Sequence, residues 1–183
     1  MKIMRGNGML TFHKCTISDL QQLRDLSMKT YQETFGEFCS KEIMQAYLNE
    51  AFSIEKIFQE LNNPSSVFYF AYDNESLVGY IKTNDFPAQT DINDEESLEL
   101  ERIYLLQPFQ GRRYGKELLD KAVCIAIRKR KKYIWLGVWD KNIKAIGFYS
   151  KNGFHTSGEH VFVMGSEQQH DYIMKKELIE SNI

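Results

Sequence analysis

Residues 110–116, Gln110-Gly111-Arg112-Arg113-Tyr114-Gly115-Lys116, bring two glycines and three cations into one short run. An apolar stretch ends just before it, at Tyr104, Leu105 and Leu106, and a helix-like pattern starts inside it. A helix N-terminus leaves backbone N–H groups without partners and carries partial positive charge. Gly111 and Gly115 let an anion approach that backbone closely, while Arg112, Arg113 and Lys116 add mobile positive charge. A pyrophosphate suits such a place. The run is not a Walker A loop, because GRRYGK is one residue short and Glu117 follows where Ser or Thr is required; nor is it GxGxxG. Taken alone, the segment reads equally well as an ordinary strand–turn–helix junction with a solvated basic turn.

The flanking elements must position this turn. Residues 9–15 (MLTFHKC) form a strand-like start, and Ser18-Asp19 offers an N-cap for the helix LQQLRDLSMKTYQETF. A second helical region over 41–61 is interrupted near Ala51 to Ser53. SSVFYFAYD and ESLVGYIKTND then read as a hairpin around Asp73-Asn74. In SLELERIYLL, Leu98, Leu100, Arg102 and Tyr104 alternate with Glu99, Glu101, Ile103 and Leu105 on the two faces of a strand. The helix after Gly111 carries Leu118, Leu119, Ala122, Val123, Ile125 and Ala126. YIWLGVW follows as a buried strand, with Trp135 and Trp139 as core or cleft wall. AIGFYSKNGF is a short helix stopped by Asn152-Gly153, and HTSGEHVFVMG and HDYIMKKEL close the chain as strands. The fold class is mixed α/β, with a crossover helix between two strands. The expected organisation is one domain over 9–183 behind a loose tail at 1–8.

Bulk properties narrow the function. The chain has 183 residues with 23 basic and 25 acidic side chains, a formal net charge of −2. Nucleic-acid-binding domains are usually basic, so no nucleic-acid partner is expected. The run RKRKK at 128–132 reads as a solvated helix C-terminus, where cations oppose the dipole. No stretch approaches the ~20 apolar residues of a membrane helix, so no membrane association is expected. The three cysteines, Cys15, Cys39 and Cys124, form no CxxC or Cys/His cluster. They argue for the reducing cytoplasm and against a structural zinc. Cys124, between Val123 and Ile125, reads as a buried, inert thiol. His13, His155, His160 and His170 show no ligand spacing, and no metal is expected.

Taken together, the QGRRYGK turn, WLGVWDKN and AIGFYSKNGF resemble the GNAT superfamily of acetyl-CoA-dependent N-acetyltransferases. The family's pyrophosphate motif, Q/R-x-x-G-x-G/A, aligns with Gln110 to Gly115 and puts Arg113 where the family usually has Gly. Within the family, LELERIYLLQPFQ, IWLGVWDKN, AIGFYSKNGF and MGSEQQHDYIMKKEL look most like the PaiA-type bacterial polyamine acetyltransferases. The resemblance covers about residues 9 to 176. It implies a mixed sheet of about six to seven strands, with a V between two parallel strands that receives acetyl-CoA.

The resemblance also implies roles. Backbone of Ile103, Tyr104 and Leu105 would pair with the pantetheine arm, and backbone at 110–116 would take the pyrophosphate. A primary amine has a pKa of ~10.4 and arrives protonated, so a carboxylate or a bound water must take its proton. Glu99, eleven residues before Gln110, is the first choice of base and Glu101 the second; both read equally as solvent-facing acids of a strand. A backbone N–H would stabilise the oxyanion. Tyr149 matches the family's general acid for the thiolate, with a core aromatic beside Phe148 and Phe154 as the alternative. Asn142 either touches the pantetheine or caps the helix that carries Tyr149. Asp91, Asp94, Glu95, Glu96, Glu99 and Glu101 would form a negative funnel if their loop leads to the cleft, which suits spermidine or spermine. A peptide α-amine, a protein lysine, or a non-catalytic acetyl-CoA sensor are the rival readings. Oligomeric state stays open, a homodimer included.

Overall fold

A computed structural model describes residues 9–164 and 167–178; the tail expected at 1–8 lies outside them. The strands are β1 (Thr11–Lys14), β2 (Ser66–Asp73), β3 (Ser76–Asn84), β4 (Ser97–Leu105), β5 (Tyr133–Trp139), β6 (His155–Met164) and β7 (Glu167–Glu177). The helices are α1 (Leu20–Phe35), α2 (Lys41–Ala51), α3 (Ile54–Asn62), α4 (Tyr114–Arg128) and α5 (Ile143–Lys151). The sheet has seven strands in the order β1-β2-β3-β4-β5-β7-β6. β1–β2, β5–β7 and β6–β7 are antiparallel, whereas β4 and β5 are parallel, pairing Ser97 with Tyr133 and Glu99 with Trp135. This is the mixed α/β sheet expected from the sequence, at the upper strand number.

Local chemistry explains where the helices start. α2 and α3 are separate because Ser53 accepts a hydrogen bond from the Lys56 N–H and caps α3. α1 starts differently from the expectation at Ser18-Asp19. A single 3₁₀ turn, Ile17–Asp19, precedes it, and Asp19 faces backward, accepting from the Thr16 N–H (2.8 Å) and hydroxyl (2.9 Å). Among the described residues, no helix is long and apolar enough to cross a membrane.

Contacts divide the chain into two units, with boundaries inside β3, β4 and α4. The first runs to Lys82 and resumes over Arg102–Lys121. Its core joins Leu23 and Leu26 of α1, Met44 and Leu48 of α2, Ile57 of α3, and Phe68, Phe70 and Tyr80 of the sheet. Burying each such side chain contributes about 1.5–3 kcal/mol. An ion cluster sits beside it: Glu60 takes both Arg102 guanidinium nitrogens at 2.8 and 3.0 Å, and Lys82 reaches the same carboxylate at 3.0 Å. The Arg102 guanidinium also covers the Phe52 and Phe68 rings.

The second unit comprises Thr83–Glu101 and the chain from Ala122. It buries Leu98, Leu100, Ile134, Trp135, Leu136 and Met174. Two expectations are corrected here. The basic run at 128–132 is not simply solvated: α4 ends at Arg128, Lys129 and Lys131 bind Asp85, and Lys132 binds Glu96. Cys124 is exposed rather than buried. Leu118, Leu119, Ala122 and Ala126 form the buried stripe of α4, and position 124 lies some 200° round the helix from 122.

Candidate active site

In the first unit the turn before α4 is left-handed at two positions. Gly111 sits at φ 76°, and a Cβ placed there would find nothing within 4 Å. Arg113 is also left-handed, at φ 69°, so the position where the resemblance expects Gly does adopt the backbone that favours Gly. The Arg113 carbonyl then accepts from the N–H groups of Lys116 (2.9 Å) and Glu117 (3.3 Å), starting α4. Tyr114 and Gly115 supply the first-turn amides that have no intrahelical acceptor. Arg112 lies over the Phe109 ring at 5.3 Å and is exposed. Open space over Gly111, first-turn amides and exposed arginines fit a diphosphate.

Other members of the turn are engaged within the unit. The Lys116 ammonium pairs with Asp120, four residues on. Tyr114 is buried, and its hydroxyl donates to Asp73 at 2.6 Å, the largest of the effects that raise the phenol's pKa. Gln110 donates its side-chain N–H to the Leu105 carbonyl at 3.3 Å. Ile103, Tyr104 and Leu105 form the end of β4. Loss of water raises the Tyr104 phenol, and the neighbouring Tyr80 and Tyr31 raise it further. Gly79 of β3, which sequence reasoning passed over, faces the Tyr104 carbonyl so closely that a Cβ would lie 2.2 Å from it. A lone glycine inside a strand was the available signal of such an approach.

In the second unit Glu99 and Glu101 share one partner. The Asn84 amide donates to Glu99 at 2.8 Å and to Glu101 at 2.5 Å. Glu99 is 2% exposed, whereas Glu101 is half-buried. Thr90 donates twice to Glu99, from its N–H (3.0 Å) and its hydroxyl. Burial raises the Glu99 pKa; the hydrogen bonds from Thr90 and Asn84 oppose this, the Glu101 charge adds to it, and the net direction is upward. Such a carboxylate takes up a proton more readily than an exposed one. Neither Asn84 nor Thr90 was singled out from the sequence, since their sequence separation from Glu99 carries no motif.

Tyr149 lies on α5, buried, with its ring against Phe148 (5.4 Å) and Phe154 (5.9 Å). Burial pushes its hydroxyl well up, so the phenol carries its proton at neutral pH. The Asn142 side-chain oxygen accepts from the Ala145 N–H at 3.1 Å, which is the helix-capping alternative. Gly153 at φ 87° ends the helix behind Asn152. The acidic loop is a folded brace rather than an open row of charges. Asp91 binds His160 at 2.8 Å, Asp94 accepts from the Tyr133 hydroxyl at 2.5 Å, and Glu96 pairs with Lys132. Among the described residues, no group of three or more His, Cys, Asp or Glu side chains is gathered in a way that could hold a metal ion.

The model of the acetyltransferase (GNAT) family matches residues 20–154. The uncharacterized N-acetyltransferase in the pepI 3' region of Lactobacillus delbrueckii subsp. lactis is 37% identical over 161 residues, spanning 88% of this chain and 93% of its own length. The spermidine N(1)-acetyltransferase of Thermoplasma acidophilum is 27% identical over 149 residues, 79% of this chain and 88% of its own. The crystal structure of the PaiA N-acetyltransferase from Thermoplasma acidophilum in complex with coenzyme A superposes with a TM-score of 0.74 at 26% identity, covering 92% of this chain and 99% of that one.

Proposed function

Because the chain belongs to the acetyltransferase (GNAT) family and is an acetyl-CoA-dependent N-acetyltransferase, we propose that its acceptor is a primary amine of a polyamine such as spermidine or spermine. The likeness to the spermidine N(1)-acetyltransferase of Thermoplasma acidophilum supports this acceptor. The observation that carries the chemistry is the buried carboxylate of Glu99 on β4, whose affinity for a proton is raised.

Acetyl-CoA supplies the acetyl group as a thioester. In the first unit, the amides of the 110–116 turn and the Arg112 guanidinium bind the diphosphate, and backbone at Ile103–Leu105 takes the pantetheine. In the second unit, Glu99 receives the proton of the incoming ammonium, directly or through one water, and leaves a neutral nitrogen able to attack. Glu101 raises the proton affinity of Glu99 by its charge. Tyr149 gives its proton to the departing sulfur as the new C–N bond replaces the C–S bond, and the proton that the attacking nitrogen sheds on becoming an amide restores the Tyr149 phenol. No protein nucleophile is used, so transfer is direct in a ternary complex.

The test is a thiol-release assay with spermidine, spermine, a lysine peptide and an aminoglycoside side by side. Polyamines are expected to give the highest kcat/KM. A higher value for the lysine peptide would replace the polyamine by a protein lysine as acceptor.

A further inference from the structure

The loop between β3 and β4 reaches Glu99 at one residue, Thr90. Two of the three donors on that carboxylate come from it. The hydroxyl bonds one carboxylate oxygen, and the N–H bonds the other at 3.0 Å. The third donor, Asn84, is shared with Glu101. Thr90 is therefore the larger source of hydrogen bonds that Glu99 does not share.

Thr90 is itself held in place. Gln89, 5% exposed, staples the loop shut through four bonds: its amide N–H groups donate to the Asp94 and Ser97 carbonyls (3.1 and 3.0 Å), and its oxygen accepts from the Asp94 N–H (3.1 Å) and Ser97 hydroxyl (3.2 Å). Asp91, on the other side, is tied to His160 of β6. The loop start is fixed by Asp85, bound to Lys129 and Lys131. Pinned on both sides, Thr90 meets Glu99 with little freedom left to lose.

We infer that Thr90 is a positioning residue for acetyl transfer: its hydroxyl and N–H orient the Glu99 carboxylate and stabilise its ionised form as proton acceptor. The inference rests on the assignment of Glu99 as base. A buried carboxylate without such donors would stay protonated over a wider pH range and could not take a second proton. The groups facing Glu99 divide in sign. Burial and the Glu101 charge favour the protonated form, while Thr90 and Asn84 favour the ionised one. The donors thus set how far into the acid range the base still works.

The experiment compares Thr90→Val, which keeps the side chain's shape and the N–H but removes the hydroxyl, with Thr90→Ser, which restores a hydroxyl. Thr90 is exposed, and Gln89 and Asp94 still close the loop, so both variants are expected to fold. The Glu99 carboxyl carbon, assigned with Glu99→Gln, is titrated by NMR, and the pH profile of kcat/KM is measured with the best amine of the panel. In Thr90→Val the Glu99 titration and the acid limb of the profile are expected to move together by about one pH unit upward, a roughly tenfold loss of rate on that limb. The Michaelis constant for acetyl-CoA stays unchanged, and Thr90→Ser stays near the parent. A Glu99 titration identical in Thr90→Val and the parent overturns the inference, as does a moved titration with an unmoved acid limb. If no amine is acetylated, the polyamine reading fails by itself, and the NMR titration still decides whether Thr90 holds Glu99 in its ionised form.

Discussion

Gly79 offers a direct check on how β3 and β4 are spaced. A Cβ there would lie 2.2 Å from the Tyr104 carbonyl oxygen, 2.9 Å from a Leu105 methyl and 3.1 Å from the Leu105 Cα. Two of these atoms belong to the backbone, which cannot rotate away. Packed heavy atoms keep about 3.5 Å apart, so Gly79→Ala must part the strands locally by about 1 Å. Overpacking of this kind costs about 3 kcal/mol at the upper end of its usual range. In a protein of this size that lowers the melting temperature by about 6–12 °C, read by circular dichroism. Because the displaced backbone is the Ile103–Leu105 stretch assigned to pantetheine, kcat/KM for acetyl-CoA is expected to fall by about tenfold or more. Gly137→Ala is the control: on β5 the added carbon meets only an Asp171 carboxylate oxygen at 3.9 Å, and its effect stays within about 0.5 kcal/mol. A Gly79→Ala protein that melts within about 2 °C of the parent would refute the argument that this close approach sets the strand spacing.

Further expectations concern the reacting groups and the brace. Tyr149→Phe is expected to cut turnover about 100-fold while leaving acetyl-CoA affinity in place, and an unchanged rate would remove Tyr149 from the chemistry. Arg112→Ala should raise the Michaelis constant for acetyl-CoA with little change in kcat; the opposite split in steady-state kinetics would move Arg112 away from the diphosphate. Burial pushes the Asp85 carboxyl up, but hydrogen bonds and charge from Lys131 and Lys129 outweigh it and hold it below the ordinary 3.8. A lowered folded pKa gives stability that is present above 3.8 and lost as pH falls through the folded value. Asp85→Asn should therefore cost about 0.5 kcal/mol in urea unfolding at pH 7, with the gap to the parent closing in strong acid. A gap that widens in acid would contradict the sign.

Much of this molecule is written locally. The break between α2 and α3 follows from Ser53, the end of α5 from Asn152-Gly153, and the left-handed turn at 111–113 from its glycine and the start of a helix. Alternation placed Glu99 and Glu101 on one face of β4, where the structure has both accept from Asn84. What the sequence hid depends on partners far along the chain. The acidic stretch looked like a funnel because its partners, Lys132 on Glu96 and His160 on Asp91, are separated from it by tens of residues. Arg102 could stand on the same face as Leu98 and Leu100 because Glu60, forty-two residues earlier, neutralises it. Cys124 was misjudged for a geometric reason. Three consecutive side chains on a helix span some 200°, so an apolar triplet cannot be buried throughout.

The exposure of Cys124 has a practical consequence at the bench. Disulfide reagents that colour free coenzyme A also react with accessible protein thiols, and the reacting species is the thiolate. Cys15 is shielded, with its thiol pushed up to about 12, and Cys39 is half-buried. Each chain should therefore contribute one rapid equivalent of colour before any turnover, an offset that Cys124→Ser would abolish. The same sulfur gives a single, position-defined anchor for a maleimide dye.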